Sequence, residues 1–406
     1  MYPNIPTLTD KVVQGEQTYL VPTYARAPFV LVHGEGMTLY DSEGNAYTDW
    51  TAGIAVNALG YGDSGLEQAI SSQLANGLLH VSNLYHTAPH VELARALVEH
   101  SFADRVFFCN SGTEANEAAI KFARKVAYAQ ERTGKHEIVT FSDGFHGRTM
   151  GSLAITPRSA YQEPFAPMMP GVRAATFNDI DSARAAIGPH TAAVFVEPVQ
   201  GEGGIHVADK SFLRALRQLC DEHNALLVFD EVQCGVGRTG TLWAHEASDV
   251  TPDIMTLAKP LAGGLPIGAV LVTERVASAL KPGDHGSTFA GGPLITAAAL
   301  EVFNRVSQPD FLANVREMGD YLIKRLRGLN TPAIREIRGR GLMIGVEMNM
   351  PVKPIIDGGY KQGLILVNAG PNVLRLIPPL IVEKQHIDAL IDRLTVLLAQ
   401  TVVKTE

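Results

Sequence analysis

Five short stretches carry residue types that could act on a small molecule. TLAKPLAGG (256–264) holds one lysine, Lys259, among leucines, alanines and glycines, with no other charge beside it. A lysine desolvated at the end of an apolar strand has a lowered pKa and becomes a nucleophile. The same lysine can instead snorkel its ammonium to water from a strand end. Pro260 biases it away from the α region, and the glycines that follow turn the chain sharply. VFDEVQCG (228–235) puts Asp230 and Glu231 at the end of an apolar run. A carboxylate there is either functional or ion-paired, because burying it alone is costly. In FCNSGTEANEAA (108–119), Ser111-Gly112-Thr113 opens a helix after a strand. Free first-turn amides with a glycine beside them suit an anion; the plainer reading is that Ser111 or Thr113 caps the helix. DGFHGRT (143–149) is a glycine-flanked loop. In it Phe145 could stack on a ring and Arg148 could grip a carboxylate, or the arginine could be solvated. GVGRTG (235–240) spells a dinucleotide fingerprint, G-x-G-x-x-G. That fingerprint needs a helix opening on the glycines. TLWAHEASDVTPD follows without a helical period, so the stretch reads as a loop.

The elements that must position these residues alternate. RVFFCN (105–110), HEIVTF (136–141), AAVFVEPV (192–199), ALLVFDEV (225–232), DIMTLA (253–258) and GAVLVT (268–273) read as strands. EANEAAIKFARKVAYAQ (114–130) and SFLRALRQLCDEH (211–223) repeat apolar residues at helical spacing between them. Near-continuous apolar strands separated by helices predict an α/β fold with a mostly parallel sheet, whose chemistry collects at the carboxyl ends of the strands. After about residue 305 the pattern changes. Two amphipathic helices, 311–326 and 384–400, flank short strand candidates at 342–348, 364–368 and 373–379. That predicts a smaller α+β lobe. FVLVHGEGMTLYDSEGNAYTDW (28–50) reads as a hairpin or meander that turns on D-S-E-G and could pack on that lobe. The expected organisation is an N-terminal segment 1–60, a large domain 61–305 and a small domain 306–406.

Composition narrows the classes. With 406 residues, 46% apolar and 19% charged, this is expected to be an ordinary soluble globular chain of two or three lobes. The net charge of −8 argues against non-specific nucleic-acid binding. No apolar run reaches a membrane span, and MYPNIPTLTDKVVQGEQ lacks the pattern of a secretion signal, so a cytoplasmic location is expected. Cys109, Cys220 and Cys234 are odd in number and widely spaced. They predict buried thiols, with neither a disulfide framework nor a zinc site.

Taken together, the lysine, the strand-end aspartate, the aromatic loop and the anion cradle fall at the ends of successive strands. Pyridoxal 5′-phosphate (PLP) needs this set: an imine-forming lysine, a carboxylate at the pyridine nitrogen, amides for the phosphate and flat apolar contacts for the ring.

The sequence resembles the class III, ornithine-type aminotransferases of PLP-dependent transferase fold type I along nearly its whole length. The resemblance is carried by DWTAGIAVNALG (49–60), FFCNSGTEANEAAIKFAR (107–124), FHGRT (145–149), EPVQGEGG (197–204), FDEVQCGVGRTG (229–240), TLAKPLAGGLPIGA (256–269), HGST (285–288) and LVNAGPNVLRLIPPL (366–380). It implies that Lys259 is the Schiff-base lysine and proton shuttle and that Asp230 pairs with the pyridinium. Val232 and Phe145 would sandwich the ring, with Glu231 grouped among the cofactor contacts. Gln233 would meet the ring hydroxyl, and Gly112 and Thr113 would cradle the phosphate. Thr288 would reach the phosphate of a neighbouring subunit, making a homodimer. Arg148 would clamp the substrate α-carboxylate and Ser287 would touch the substrate. Glu202 and Arg375 are similar to the family's switch pair; a structural ion pair is the plainer reading of Arg375. The branch resembled most acts on acetylornithine and succinylornithine. The implied reaction moves the δ-amino group of N2-acetylornithine to 2-oxoglutarate, with succinylornithine, ornithine, 4-aminobutyrate or an acetylated lysine analogue as rival donors. Two stretches depart from the family pattern. Tyr61–Gly65 stands where the family usually has His-x-His-Pro, and Phe289–Pro293 lacks the usual asparagine. A nicotinamide-dependent oxidoreductase, resting on GVGRTG, is the reading from another class, and a silent binding protein on the same fold is a third.

Overall fold

A computed structural model describes residues 7–131 and 134–402. The first six and last four residues of the outer expected segments lie outside it. At the centre is a seven-stranded sheet. Its spatial order is Arg105–Cys109, Gly268–Val272, Ile254–Leu257, Leu226–Asp230, Thr191–Val196, Glu137–Phe141 and Val172–Ala175. Only Gly268–Val272 runs antiparallel to its neighbours; the other pairings are parallel. Four of these strands, including Leu226–Asp230 and Ile254–Leu257, are buried at every residue. Their unbroken apolar runs follow from cover on both faces. The helix Gly112–Ala129 packs on one face through Ala115, Ala119, Phe122 and Val126, and Lys210–Glu222 packs on the other through Phe212, Leu216 and Leu219. GVGRTG forms turns with no helix, in agreement with the loop reading. The three cysteines are buried and free.

A second, antiparallel sheet of four strands lies in the C-terminal lobe, in the order Ile334–Arg340, Met343–Met348, Val373–Leu376, Val367–Asn368. Its first strand, IREIRGR, escaped the sequence reading. It is a charged edge strand in which Arg335 pairs with Glu347 and Arg338 with Glu336 and Glu347, while Arg340 donates to Ala244 O at 2.6 Å. The LILVN run is not one strand. Leu364–Ile365 lies parallel to Ala46–Asp49 and completes the N-terminal meander of Leu31–Glu35, Thr38–Asp41 and Ala46–Asp49. Val367–Asn368 instead pairs with Val373–Leu376. The chain changes sheets at Leu366, which is buried in the core between them. The helix Leu8–Tyr19 was also not anticipated. It starts on a capping box between Thr7 and Asp10 but buries none of its residues. No helix among the described residues is long and apolar enough to cross a membrane.

Candidate active site

The strand Ile254–Leu257 ends at Ala258, whose backbone (φ −162°, ψ −106°) breaks the extended run. Pro260 predicts an extended Lys259. Instead Lys259 is already the first residue of a 3-10 turn, Lys259–Ala262, because a proline is tolerated in a first turn. Lys259 Nζ makes no hydrogen bond or ion pair with a described residue. Burial pushes its ammonium below the ordinary lysine range; Glu202 and Asp230 pull it back in part, while Arg375 lowers it further.

One strand away, Leu226–Asp230 delivers Asp230 into a set of donors. Asn116 Nδ2 donates to Asp230 Oδ2 at 2.7 Å, His146 Nδ1 lies 2.8 Å from the same oxygen, and the Val232 amide donates to Oδ1 at 3.0 Å. Asn116 is itself aimed by Thr256 Oγ1, which donates to its side-chain oxygen at 2.9 Å. Burial works against a charge on His146, yet the hydrogen bond and charge of Asp230 outweigh it and raise the imidazole above its usual value. These three partners fix the carboxylate in orientation. Glu231, the next residue, does not join it. Its oxygens accept from the Ala244 and His245 amides at 2.6 and 2.8 Å, and Oε1 is 2.7 Å from His245 Nδ1. Alternation along a strand end sends adjacent side chains to opposite sides. Glu231 fastens the 244–248 turn, and the expectation of a cofactor contact there does not fit the geometry.

The helix Gly112–Ala129 begins beside these residues. Ser111 Oγ caps it by accepting from the Glu114 amide at 3.3 Å. The first-turn amides of Gly112 and Thr113 have no acceptor within the helix. The capping reading thus holds at Ser111, while the Gly112 and Thr113 amides stay without a partner inside the helix. A Cβ at Gly112 would lie 2.6 Å from Val232 Cγ1, so only glycine lets valine and helix end approach this closely. Thr113 Oγ1 lies 2.8 Å from Thr149 Oγ1 and accepts from the Arg148 amide at 3.2 Å, docking the Phe145 loop on the helix. Arg148 is exposed, with its guanidinium 3.7 Å from the centroid of the Tyr161 ring. Glu197, one residue beyond Thr191–Val196, accepts from the Phe145 amide and the Gly201 amide, both at 3.0 Å. Burial pushes its carboxyl up to about 7.

These residues enclose a cavity of about 240 Å³. It gathers Gly112, Thr113, Phe145, Arg148, Asp230, Val232, Gln233 and Lys259 from the sequence reading, and adds Asn116, His146 and Glu197. His146 stood in the quoted loop, and Glu197 in EPVQGEGG, with no role assigned. Asn116 carried only the signal of a polar residue on the buried face of its helix. At one side of the cavity Arg375, on Val373–Leu376, forms a short ion pair with Glu202 and donates to Gln233 Oε1 at 3.1 Å. Burial would raise the Glu202 carboxyl, but Arg375 outweighs it and holds it below its usual range. Ser287 and Thr288 are not brought in. They line a separate cavity of about 580 Å³ with His285 and Asn83, and Thr288 is exposed.

The pattern of the class-III aminotransferase family matches residues 20–398. The chain belongs to the class-III aminotransferases. An acetylornithine aminotransferase, mitochondrial, of Alnus glutinosa is 54% identical over 390 residues, covering 94% of this chain and 86% of that protein. A succinylornithine transaminase of Salmonella typhimurium is 47% identical, covering 92% of this chain and 93% of that protein. An ornithine aminotransferase structure from Toxoplasma gondii, with PLP in partial occupancy at its active site, superposes with a TM-score of 0.94 at 30% identity, covering 99% of this chain and 96% of that one. This aminotransferase is a PLP-dependent enzyme of the type I fold. Its residues fit the cofactor. Lys259, with no ion pair among the described residues, lines one cavity with the oriented Asp230 carboxylate, and Gly112 lets the helix start, whose first amides lack intrahelical acceptors, pack against Val232.

Proposed function

We propose that this aminotransferase moves the δ-amino group of N2-acetylornithine to 2-oxoglutarate, giving N-acetylglutamate 5-semialdehyde and glutamate. The observation that carries this reading is the Glu202–Arg375 pair beside Lys259. An amino donor whose δ-amine must reach Lys259 presents no second carboxylate there, and Glu202 covers the guanidinium. A dicarboxylate acceptor needs a cation at that place, and Arg375 supplies one when Glu202 gives way. Relatives named for acetylornithine, at 54% identity, support the choice of donor.

Bound PLP supplies an electron sink for charge that develops on the amine-bearing carbon. Lys259 would carry the cofactor and then move a proton to and from that carbon, for which its lowered pKa suits it. Asp230, oriented by Asn116 and His146, would keep the pyridine nitrogen protonated. Val232 and Phe145 would press on the two ring faces, and Gln233 would meet the ring hydroxyl. The amides of Gly112 and Thr113 would take the phosphate. Arg148 would hold the α-carboxylate, with Tyr161 stacked behind it. Ser287 and Thr288 lie outside the cavity, which favours service to a neighbouring subunit of a homodimer, Thr288 at its phosphate and Ser287 at its substrate. We assign the enzyme to the cytoplasm and to arginine metabolism. The test compares kcat/KM for N2-acetylornithine, N2-succinylornithine, ornithine, 4-aminobutyrate and N2-acetyl-lysine, each with 2-oxoglutarate. N2-acetylornithine should lead; equal or better turnover of 4-aminobutyrate or free ornithine overturns the assignment.

A further inference from the structure

The GVGRTG stretch takes no part in the cavity, yet Gly237 within it and Gly341 beyond it seat it closely against the chain after residue 305. A Cβ at Gly237 (φ 83°) would lie 2.6 Å from Val306 Cγ1, and one at Gly341 (φ 56°) would lie 2.5 Å from the carbonyl carbon of Thr239. Between them Arg238 is fully buried. Among the described residues no carboxylate pairs with it. Asp49, which acts on it at longer range, is already engaged by Thr51 and Tyr61. Among the described residues Arg238 Nε and Nη2 have no hydrogen-bond partner, and burial lowers the guanidinium to about 9. A buried cation without a counter-charge is costly, and a methionine of similar length would fill the space without that cost. Its use lies in what it grips. Nη1 donates to Leu342 O at 3.1 Å and to Pro378 O at 2.5 Å, and Arg238 O accepts from the Leu342 amide at 3.0 Å.

Leu342 immediately precedes Met343–Met348, and Pro378 follows Val373–Leu376. These strands are neighbours, with Gly345 opposite Arg375 and Ile344 opposite Leu376. Arg238 therefore ties the same end of both strands to the loop that leaves Asp230 through Val232 and Gln233. Arg375 sits on that tied pair and bonds to Gln233. We propose that Arg238 is a positioning residue for the acceptor: by gripping Leu342 and Pro378 it fixes how far Arg375 reaches toward Glu202 and toward the second carboxylate of a dicarboxylic 2-oxo acid. The proposal rests on reading Arg375 as the acceptor clamp.

The test follows the two half-reactions of the holoenzyme by cofactor absorbance in Arg238→Met, Arg238→Lys and, as a control on the underlying reading, Arg375→Lys. For Arg238→Met the KM for 2-oxoglutarate should rise about tenfold. The half-reactions with N2-acetylornithine and with pyruvate, which has no second carboxylate, should stay within about twofold, as should PLP affinity. Arg238→Lys keeps the charge but loses the fork, and should recover part of the loss. If Arg375→Lys leaves the 2-oxoglutarate KM unchanged, the clamp reading fails and this inference with it. If Arg375→Lys raises that KM and Arg238→Met does not, this inference alone falls. An equal loss in every half-reaction, or loss of PLP, shows a general structural role and overturns it. Should Arg238→Met fail to fold, Arg238→Lys decides: a raised KM confined to 2-oxoglutarate supports the proposal, and an unchanged KM overturns it.

Discussion

The two ends of the site around Lys259 hold their charges differently. At one end Asp230 meets Asn116, His146 and the Val232 amide, and its side chain is only 4% exposed. At the other, Glu202 has Arg375 as its ion partner, and its side chain is 27% exposed. Nothing can release Asp230 without stranding several buried groups. Glu202 has one ion partner, Arg375, with Gln233 and Lys259 acting on it more weakly, and is near enough to water to leave them. Under the proposed function, one end would hold a charge still while the other would exchange one, as a two-substrate amine transfer requires.

Substitutions can break or sharpen this contrast. The largest effect belongs to the residue both ends face. Lys259→Ala should lower turnover by roughly 10⁴-fold or more while far-UV circular dichroism is unchanged; substantial residual transamination would contradict its role. At the fixed end, Asp230→Asn should cost roughly 10²–10³-fold in kcat for every donor and weaken PLP binding, because the asparagine neither protonates the ring nitrogen nor satisfies His146. Steady-state rates across donors, with PLP titration, read this out. At the exchangeable end the sign reverses. Glu202→Gln leaves Arg375 without a competing carboxylate, so the KM for 2-oxoglutarate should fall by up to about tenfold while that for N2-acetylornithine rises. A rise for both substrates would show that the pair is merely structural.

The smallest effect is one of pH. The folded-state pKa of Glu197 is raised to about 7 from an ordinary 4.5. Between those values the unfolded chain has lost this proton and the folded chain keeps it, so the group's contribution to stability falls as pH rises through the window. Glu197→Gln should flatten that part of the Tm–pH profile of the apoenzyme. An unaltered slope would mean that the carboxyl is already ionised in the fold.

Much of this was written locally in the sequence. Strands buried on both faces appear as apolar runs, and Lys259, Asp230 and the Phe145 loop stand directly at their ends, so period and position identify them. What was missed depends on distant chain. Asn116 is explained by Asp230, which lies 114 residues away, and by Thr256, 140 away. Glu231 was misplaced because adjacent carboxylates look equivalent until the Ala244 and His245 amides are seen to claim one of them. The strand Ile334–Arg340 carries three arginines, whose partners on its neighbour, within the strand and, for Arg340, at Ala244 O cannot be read from a window. No local pattern marks Leu366 as the point where LILVN passes from one sheet to another.

That passage has a consequence for synthesis. The N-terminal meander is complete only when Leu364–Ile365 arrives beside Ala46–Asp49. During translation its open edge must wait for more than three hundred residues to emerge, while every strand of the central sheet is made in the interval. The order of manufacture therefore favours a nascent chain whose middle folds before its beginning. Until then the first strands present an unpaired rim to whatever else is nearby, including the chains on neighbouring ribosomes.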